Sequence, residues 1–189
     1  MDAPSIRGVL FQAIWEKLDD LIKSEVISRD EIEVRLEARD LALLEQKPEP
    51  CAWYPLDCAT RIAQLLLDKL GCDEVTLSVE AGRQATRRWL REGLFPVSVE
   101  DGTNLAEIAG ELLLMLPEQL LNFGRWSFSG SSISEFQIDV VGAGAVPNHL
   151  RYAVQGGLET LVHHVAGHDT KVTSTRPSFD HIEYRGEPG

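Results

Sequence analysis

The chain opens on a helical spacing of apolar residues. Ile6, Val9, Leu10, Ala13, Ile14, Leu18, Leu21 and Ile22 recur three and four apart, with Glu16, Lys17, Asp19, Asp20 and Lys23 on the other side. That spacing predicts an amphipathic helix over 6–23. Ser28-Arg29-Asp30-Glu31 has the capping-box pattern, so a second helix starts at Arg29. A short turn over 41–44 is expected to begin at Asp40, and Pro48 and Pro50 then stop helical structure. Pro55 suits the first turn of the next helix, which runs through Ala59, Ile62, Ala63, Leu66, Leu67 and Leu70 and ends at Gly71. Residues 73–93 fit two patterns. Val75, Leu77, Val79 and Ala81 alternate as in a strand, while Val75, Val79, Gly82, Ala85 and Trp89 make a helical stripe after Asp73. Helix is preferred, because 85–90 is helical in composition and Gly93 is a natural stop. Asn104 is placed as the cap of a further helix through Leu105, Ile108, Ala109, Leu112 and Leu113, with Pro117 breaking or restarting it before Leu121.

Beyond Gly124 the period changes from helical to two. Arg125-Trp126-Ser127-Phe128 and Phe136-Gln137-Ile138-Asp139-Val140 alternate around a small polar turn, which predicts a β-hairpin. A helix follows over about 148–166, with Leu150, Ala153, Val154, Leu158, Leu161, Val162 and Val165 on one face and Gly167 as its stop. Two more strands are expected at 171–175 and 179–184, joined across Arg176-Pro177-Ser178. The predicted class is therefore α+β. A helical half (about 5–122) is followed by β-β-α-β-β (about 125–186), an antiparallel sheet covered by a long helix, in one domain over 1–189.

Composition changes this picture in three ways. The 189 residues are 43% hydrophobic and 25% charged, ordinary values that exclude a disordered or low-complexity chain. The net charge is −12, the reverse of what a general nucleic-acid binder carries. Cys51, Cys58 and Cys72 form an odd, sparse set without C-x-x-C, which argues against a disulfide scaffold or zinc knuckle. No run reaches the roughly 18 apolar residues that span a bilayer, and no secretory signal opens the chain, so the expectation is a cytoplasmic protein without membrane contact.

Candidate chemistry is thin. His164 and His168 are four apart, a legal spacing for two metal ligands on a continuing helix, but Gly167 between them spoils it. The alternative is that polar and cationic groups complement a helix C-terminus. Cys72 just before a helix start is the cysteine best placed for a lowered pKa, but Asp73 and Glu74 oppose that, and a structural cysteine is the simpler reading. Arg83, Arg87, Arg88 and Arg91 make a basic row that can grip a phosphate or an acidic partner. It can equally pair inside the protein, and residues 101–150, with six acids against Arg125 alone, are the obvious counterpart within the chain or in a dimer mate. Gly142-Ala143-Gly144 lacks the rest of a dinucleotide fingerprint and reads as a turn into a helix. Trp53, Tyr54, Trp89, Trp126, Phe128 and Phe136 either line a pocket between the helices and the sheet or simply form core. No convergent acid–base set is identifiable, so an enzyme ranks last, and no cofactor is assigned.

An ordered set of short motifs carries a family resemblance. It comprises Arg7-Gly8 with Leu10-Phe11, Tyr54-Pro55, Leu70-Gly71, Ala81-Gly82-Arg83, Gly157, Gly167 and Tyr184. In order and spacing it resembles an uncharacterised family of proteins of about this length, expanded as paralogues in myxobacteria. The C-terminal half is also similar to the 4-vinyl-reductase and haem-NO-binding group of domains. That resemblance implies an α+β small-molecule-binding or sensory domain, often dimeric or a partner to signalling modules. The haem branch uses a proximal histidine in a mid-chain helix and a Tyr-x-Ser-x-Arg motif. This chain has no histidine before His149 and lacks that motif. The vinyl-reductase branch often carries cysteines near its last strands, and none follows Cys72 here. Haem, zinc and catalysis are therefore not carried over. The expected function is a non-catalytic ligand-binding or sensory/adaptor domain, a homodimer with a small apolar ligand or a protein partner. The alternative is an interaction module that docks an acidic partner through the arginine row.

Overall fold

A computed structural model of the chain describes residues 3–71, 73–93 and 105–189. Asn104 and Cys72, read above as a helix cap and a candidate thiol, lie outside the described residues. The chain divides into two compact units, Met1–Glu74 with Leu120–Asn122, and Val75–Gln119 with Phe123–Gly189.

The first unit is built on β1 (Ser5–Arg7), α1 (Gly8–Lys23), α2 (Arg29–Arg35), α3 (Ala38–Leu44), β2 (Trp53–Pro55) and α4 (Leu56–Leu70). The capping box at Ser28 and Glu31 forms as the sequence predicts. Gly71 ends α4 in the left-handed region at φ 60°, where a side chain would be strained. The two short strands were not foreseen. They pair antiparallel, Ile6 opposite Tyr54, and Ile6 also bridges Leu121. Three residues are too few to show a period of two. The Arg7-Gly8 motif has a local cause here. A Cβ on Gly8 would sit 1.8 Å from the Glu49 carbonyl oxygen, so only glycine lets α1 start against the 48–52 segment. Gly8 N–H donates to Ala52 O at 2.8 Å, and Gln12 Nε2 donates to Pro48 O at 3.1 Å. Phe11, Leu18, Ile62 and Leu65 form the core of this unit.

The second unit holds α5 (Glu74–Arg91), α6 (Leu105–Leu120), β3 (Arg125–Gly130), β4 (Phe136–Val141), α7 (Asn148–Ala166), β5 (Thr170–Ser178) and β6 (His181–Pro188). The class is α+β, as expected. Residues 74–91 are helical, which settles the ambiguous stretch in favour of the helix. The four strands are antiparallel in the order β3-β4-β6-β5. Two expectations are corrected. Pro117 sits inside α6 and does not break it. Arg176-Pro177-Ser178 belongs to β5, and the turn falls at residues 179–180. Pro177 is tolerated because β5 is an edge strand, and the pairing shifts at a bulge between Thr175 and Ser178.

Helices α5 and α7 meet glycine to backbone. A Cβ on Gly82 would lie 1.8 Å from Ala153 O, and one on Gly156 2.0 Å from Val79 O. This close approach ties α5 to α7 within the second unit. Ile138, Val140, Val172, Ile182 and Tyr184 from the sheet, with Leu158 and Leu161 from α7, make the core.

Candidate functional site

Apart from Cys72 and Asn104, the residues singled out in the sequence lie among the described ones. In the first unit, Tyr54 stacks on Phe11 with ring centres 4.5 Å apart, and its hydroxyl accepts from Glu49 N–H at 2.8 Å. Trp53 is 41% exposed, under the Arg7 guanidinium at 4.0 Å. In the second unit, Trp89 and Phe136 are buried core residues, Phe136 filling the space beside Gly186. Trp126 stacks with Tyr184 at 6.1 Å, and Phe128 with Phe136 at 6.3 Å. Of the six aromatics, Phe128 lines an open groove of about 590 Å³ with Gly110, Glu111, Leu114, Met115, Glu118 and Gln119 of α6. Gly110 makes room for the Phe128 ring, which a Cβ there would meet at 2.9 Å. Leu114 and Met115 escaped notice in the sequence because they sit in the uniformly apolar run 112–116.

The arginine row is largely engaged within the second unit. Glu159 Oε2 accepts from Arg83 Nε at 3.0 Å and Nη2 at 2.7 Å, while its Oε1 accepts from Val172 N–H at 3.2 Å. One carboxylate thus ties α5, α7 and the edge strand β5. Arg87 pairs with Glu80 at 3.4 Å and Arg88 with Glu92 at 2.9 Å, while Arg91 is exposed. Among the described residues, Glu80 lies in α5, Glu92 just after it and Glu159 in α7.

Gly167 ends α7 at φ 74°, so His168 leaves the helical register of His164. His164 is exposed, and His168 Nε2 contacts Ser134 Oγ at 3.2 Å. Among the described residues no three His, Cys, Asp or Glu side chains converge as a metal site. The Gly142-Ala143-Gly144 turn has its amides filled from within. Asp180 O accepts from Gly142 and Ala143 N–H, both at 3.1 Å, and Asp180 Oδ1 accepts from Gly144 N–H at 3.1 Å. Cys58 is buried, and that burial, with Asp40 beside it, pushes its thiol up to about 12, so it is inert at neutral pH.

At the start of α7 the interior holds unusual polar groups. Arg151 is 8% exposed and Tyr184 0%. Burial pushes the Tyr184 phenol up, and the charges of Arg151 and Arg176 act against that. The Tyr184 hydroxyl, Arg151 Nε and Arg176 Nε are all buried without a hydrogen-bond partner among the described residues.

The chain shares its whole fold with H-NOX domains. No family model matches the sequence, and no curated protein matches it. Among solved structures, the unliganded Fe(II) form of an H-NOX mutant from K. algicida superposes with TM-score 0.66 at 10% identity, over 97% of this chain and 96% of that one. A mutant of the T. tengcongensis H-NOX gives 0.59 at 16%, over 96% and 98%. A chain studied for porphyrin distortion and haem redox potential gives 0.59 at 15%, over 96% and 99%. These likenesses establish the fold. They match the haem-NO-binding side of the resemblance.

The residues do not fit an axially ligated haem. The mid-chain helices α5 and α6 carry no histidine, cysteine or tyrosine, the usual iron ligands. The groove offers the Met115 thioether, and its two carboxylates, Glu111 and Glu118, would repel porphyrin propionates.

Proposed function

We propose that the chain is a small-molecule-binding sensory domain that uses the H-NOX fold without an axially held haem. The groove along α6 carries this reading. Its walls are apolar at Leu114, Met115 and Phe128, and Glu111 and Glu118 stand beside them. Seven residues apart on a helix, the two carboxylates are about 10.5 Å apart along the axis on one face. That chemistry suits an apolar ligand with a positive end, held by burial and by a charge-assisted hydrogen bond. In this role the domain reports ligand occupancy to a signalling partner.

Native mass spectrometry of protein purified from its source, with an absorption spectrum, tests the reading. The expected result is a retained small molecule and no stoichiometric haem band. Leu114→Trp fills the groove and removes the molecule while the circular dichroism spectrum stays native. One haem per chain, or a ligand whose occupancy Leu114→Trp leaves unchanged, overturns it.

A further inference from the structure

We infer that Arg151, Arg176 and Tyr184 form an anion-binding site at the N-terminal end of α7, shaped for the oxyanion of a carboxylate or phosphate group. The argument starts from charge. A guanidinium stays protonated in proteins, so a buried one needs a counter-charge or full hydrogen bonding. Arg151 has neither. Its Nη1 donates to Ser174 O at a long 3.4 Å, its guanidinium lies over the Tyr152 ring at 4.3 Å, and its Nε is buried with no acceptor. Arg176 donates to two carbonyls, Phe179 O at 2.9 Å and Val146 O, and its Nε is likewise without an acceptor. Among the described residues, neither arginine has a carboxylate at ion-pair distance.

Nearby acids have partners of their own. The Asp180 carboxylate accepts from the Gly144 amide, Glu159 pairs with Arg83, and Glu183 with Arg185. The end of α7 adds to the imbalance. Its N-cap is Pro147, with no side-chain cap, and its first turn carries no acid. Free N–H groups and the helix dipole therefore leave it positive. Arg176 binds the carbonyl of Val146, next to that cap, and Ser174, the acceptor for Arg151, pairs directly with Tyr184 across β5 and β6. Helix end, two arginines and a phenol thus converge from α7, β5 and β6. One oxyanion would satisfy donors that nothing among the described residues satisfies. Arg176 is partly exposed, so the site is reached from its side of the sheet. The site shares no residue with the α6 groove, and it stands whether or not the groove binds a ligand.

Isothermal titration calorimetry of the full chain with sodium phosphate and, separately, sodium acetate at fixed ionic strength tests this. The expected result is saturable one-to-one binding of at least one of them. Phosphate alone assigns a phosphorylated ligand, acetate alone a carboxylate, and both an oxyanion site open to either. Arg176→Gln and the isosteric Tyr184→Phe each weaken binding about tenfold, the effect of one charge-assisted hydrogen bond. Tyr184→Phe retains the native circular dichroism spectrum, so its loss reports binding and not unfolding. No saturable heat with either anion, or binding that Tyr184→Phe leaves unchanged, overturns the proposal.

Discussion

A single imidazole carries the clearest pH signal in the molecule. Burial pushes His149 down to about 4, so the folded chain holds it neutral where an unfolded chain protonates it near 6.5. The unfolded state then binds more protons, so stability is full above about 6.5 and is lost as the pH drops toward 4. Because the side chain keeps some exposure, about 2 kcal/mol is the expected loss from pH 7 to the lower limit. Urea unfolding of the wild type and His149→Gln at neutral pH and near pH 4.5 checks this, the variant losing the smaller amount. The sequence could not show this, since an isolated histidine after Pro147 and Asn148 reads as a loop-to-helix residue. Tyr184 and the two arginines were hidden for a related reason. Their positions, 33 and 25 residues apart for Arg151 with Tyr184 and with Arg176, meet only through sheet register. Local signals fared better. The Ser28 capping box and the stops at Gly71 and Gly167 were legible because their chemistry lies within a few residues.

At the scale of elements, the α5–α7 crossing rests on two glycines. Helix propensity alone would reward Gly82→Ala or Gly156→Ala by up to about 1 kcal/mol. The added carbon would instead meet backbone oxygens at 1.8 and 2.0 Å, so steric overlap decides the sign. Each substitution is expected to destabilise by about 2–3 kcal/mol, and the double variant by less than the sum, because one helix displacement relieves both clashes. Thermal melts of the three variants measure it. Glu159 belongs to the same junction, since loosening α5 from α7 also frees Arg83 and the Val172 amide. Periodicity named the long helices and the hairpin correctly. It placed the last turn three residues early, because proline reads as a breaker until an edge strand accommodates it.

For the whole molecule, a charge of −12 on a small chain means net self-repulsion in the folded state. Raising sodium chloride from about 0.02 to 0.5 M is expected to raise the melting temperature, since salt screens long-range repulsion more than the short internal pairs. A falling melting temperature would show instead that surface pairs such as Arg29–Glu33 dominate. The same total also hides the uncompensated arginines near α7, because a sum cannot register where charges lie.

The first strand has a partner far along the chain. Ser5 N–H donates to Asn122 Oδ1 at 2.6 Å, Asn122 N–H donates to Ser5 O at 3.3 Å, and Ile6 bridges Leu121. On the ribosome, β1 therefore emerges long before the segment, 117 residues further on, that pairs with it. With synthesis at about 5–20 residues per second, that edge stays open for seconds while α5 and α6 are being made. Until Leu121 and Asn122 are made, the backbone groups of Ser5 and Ile6 that they engage lack those partners.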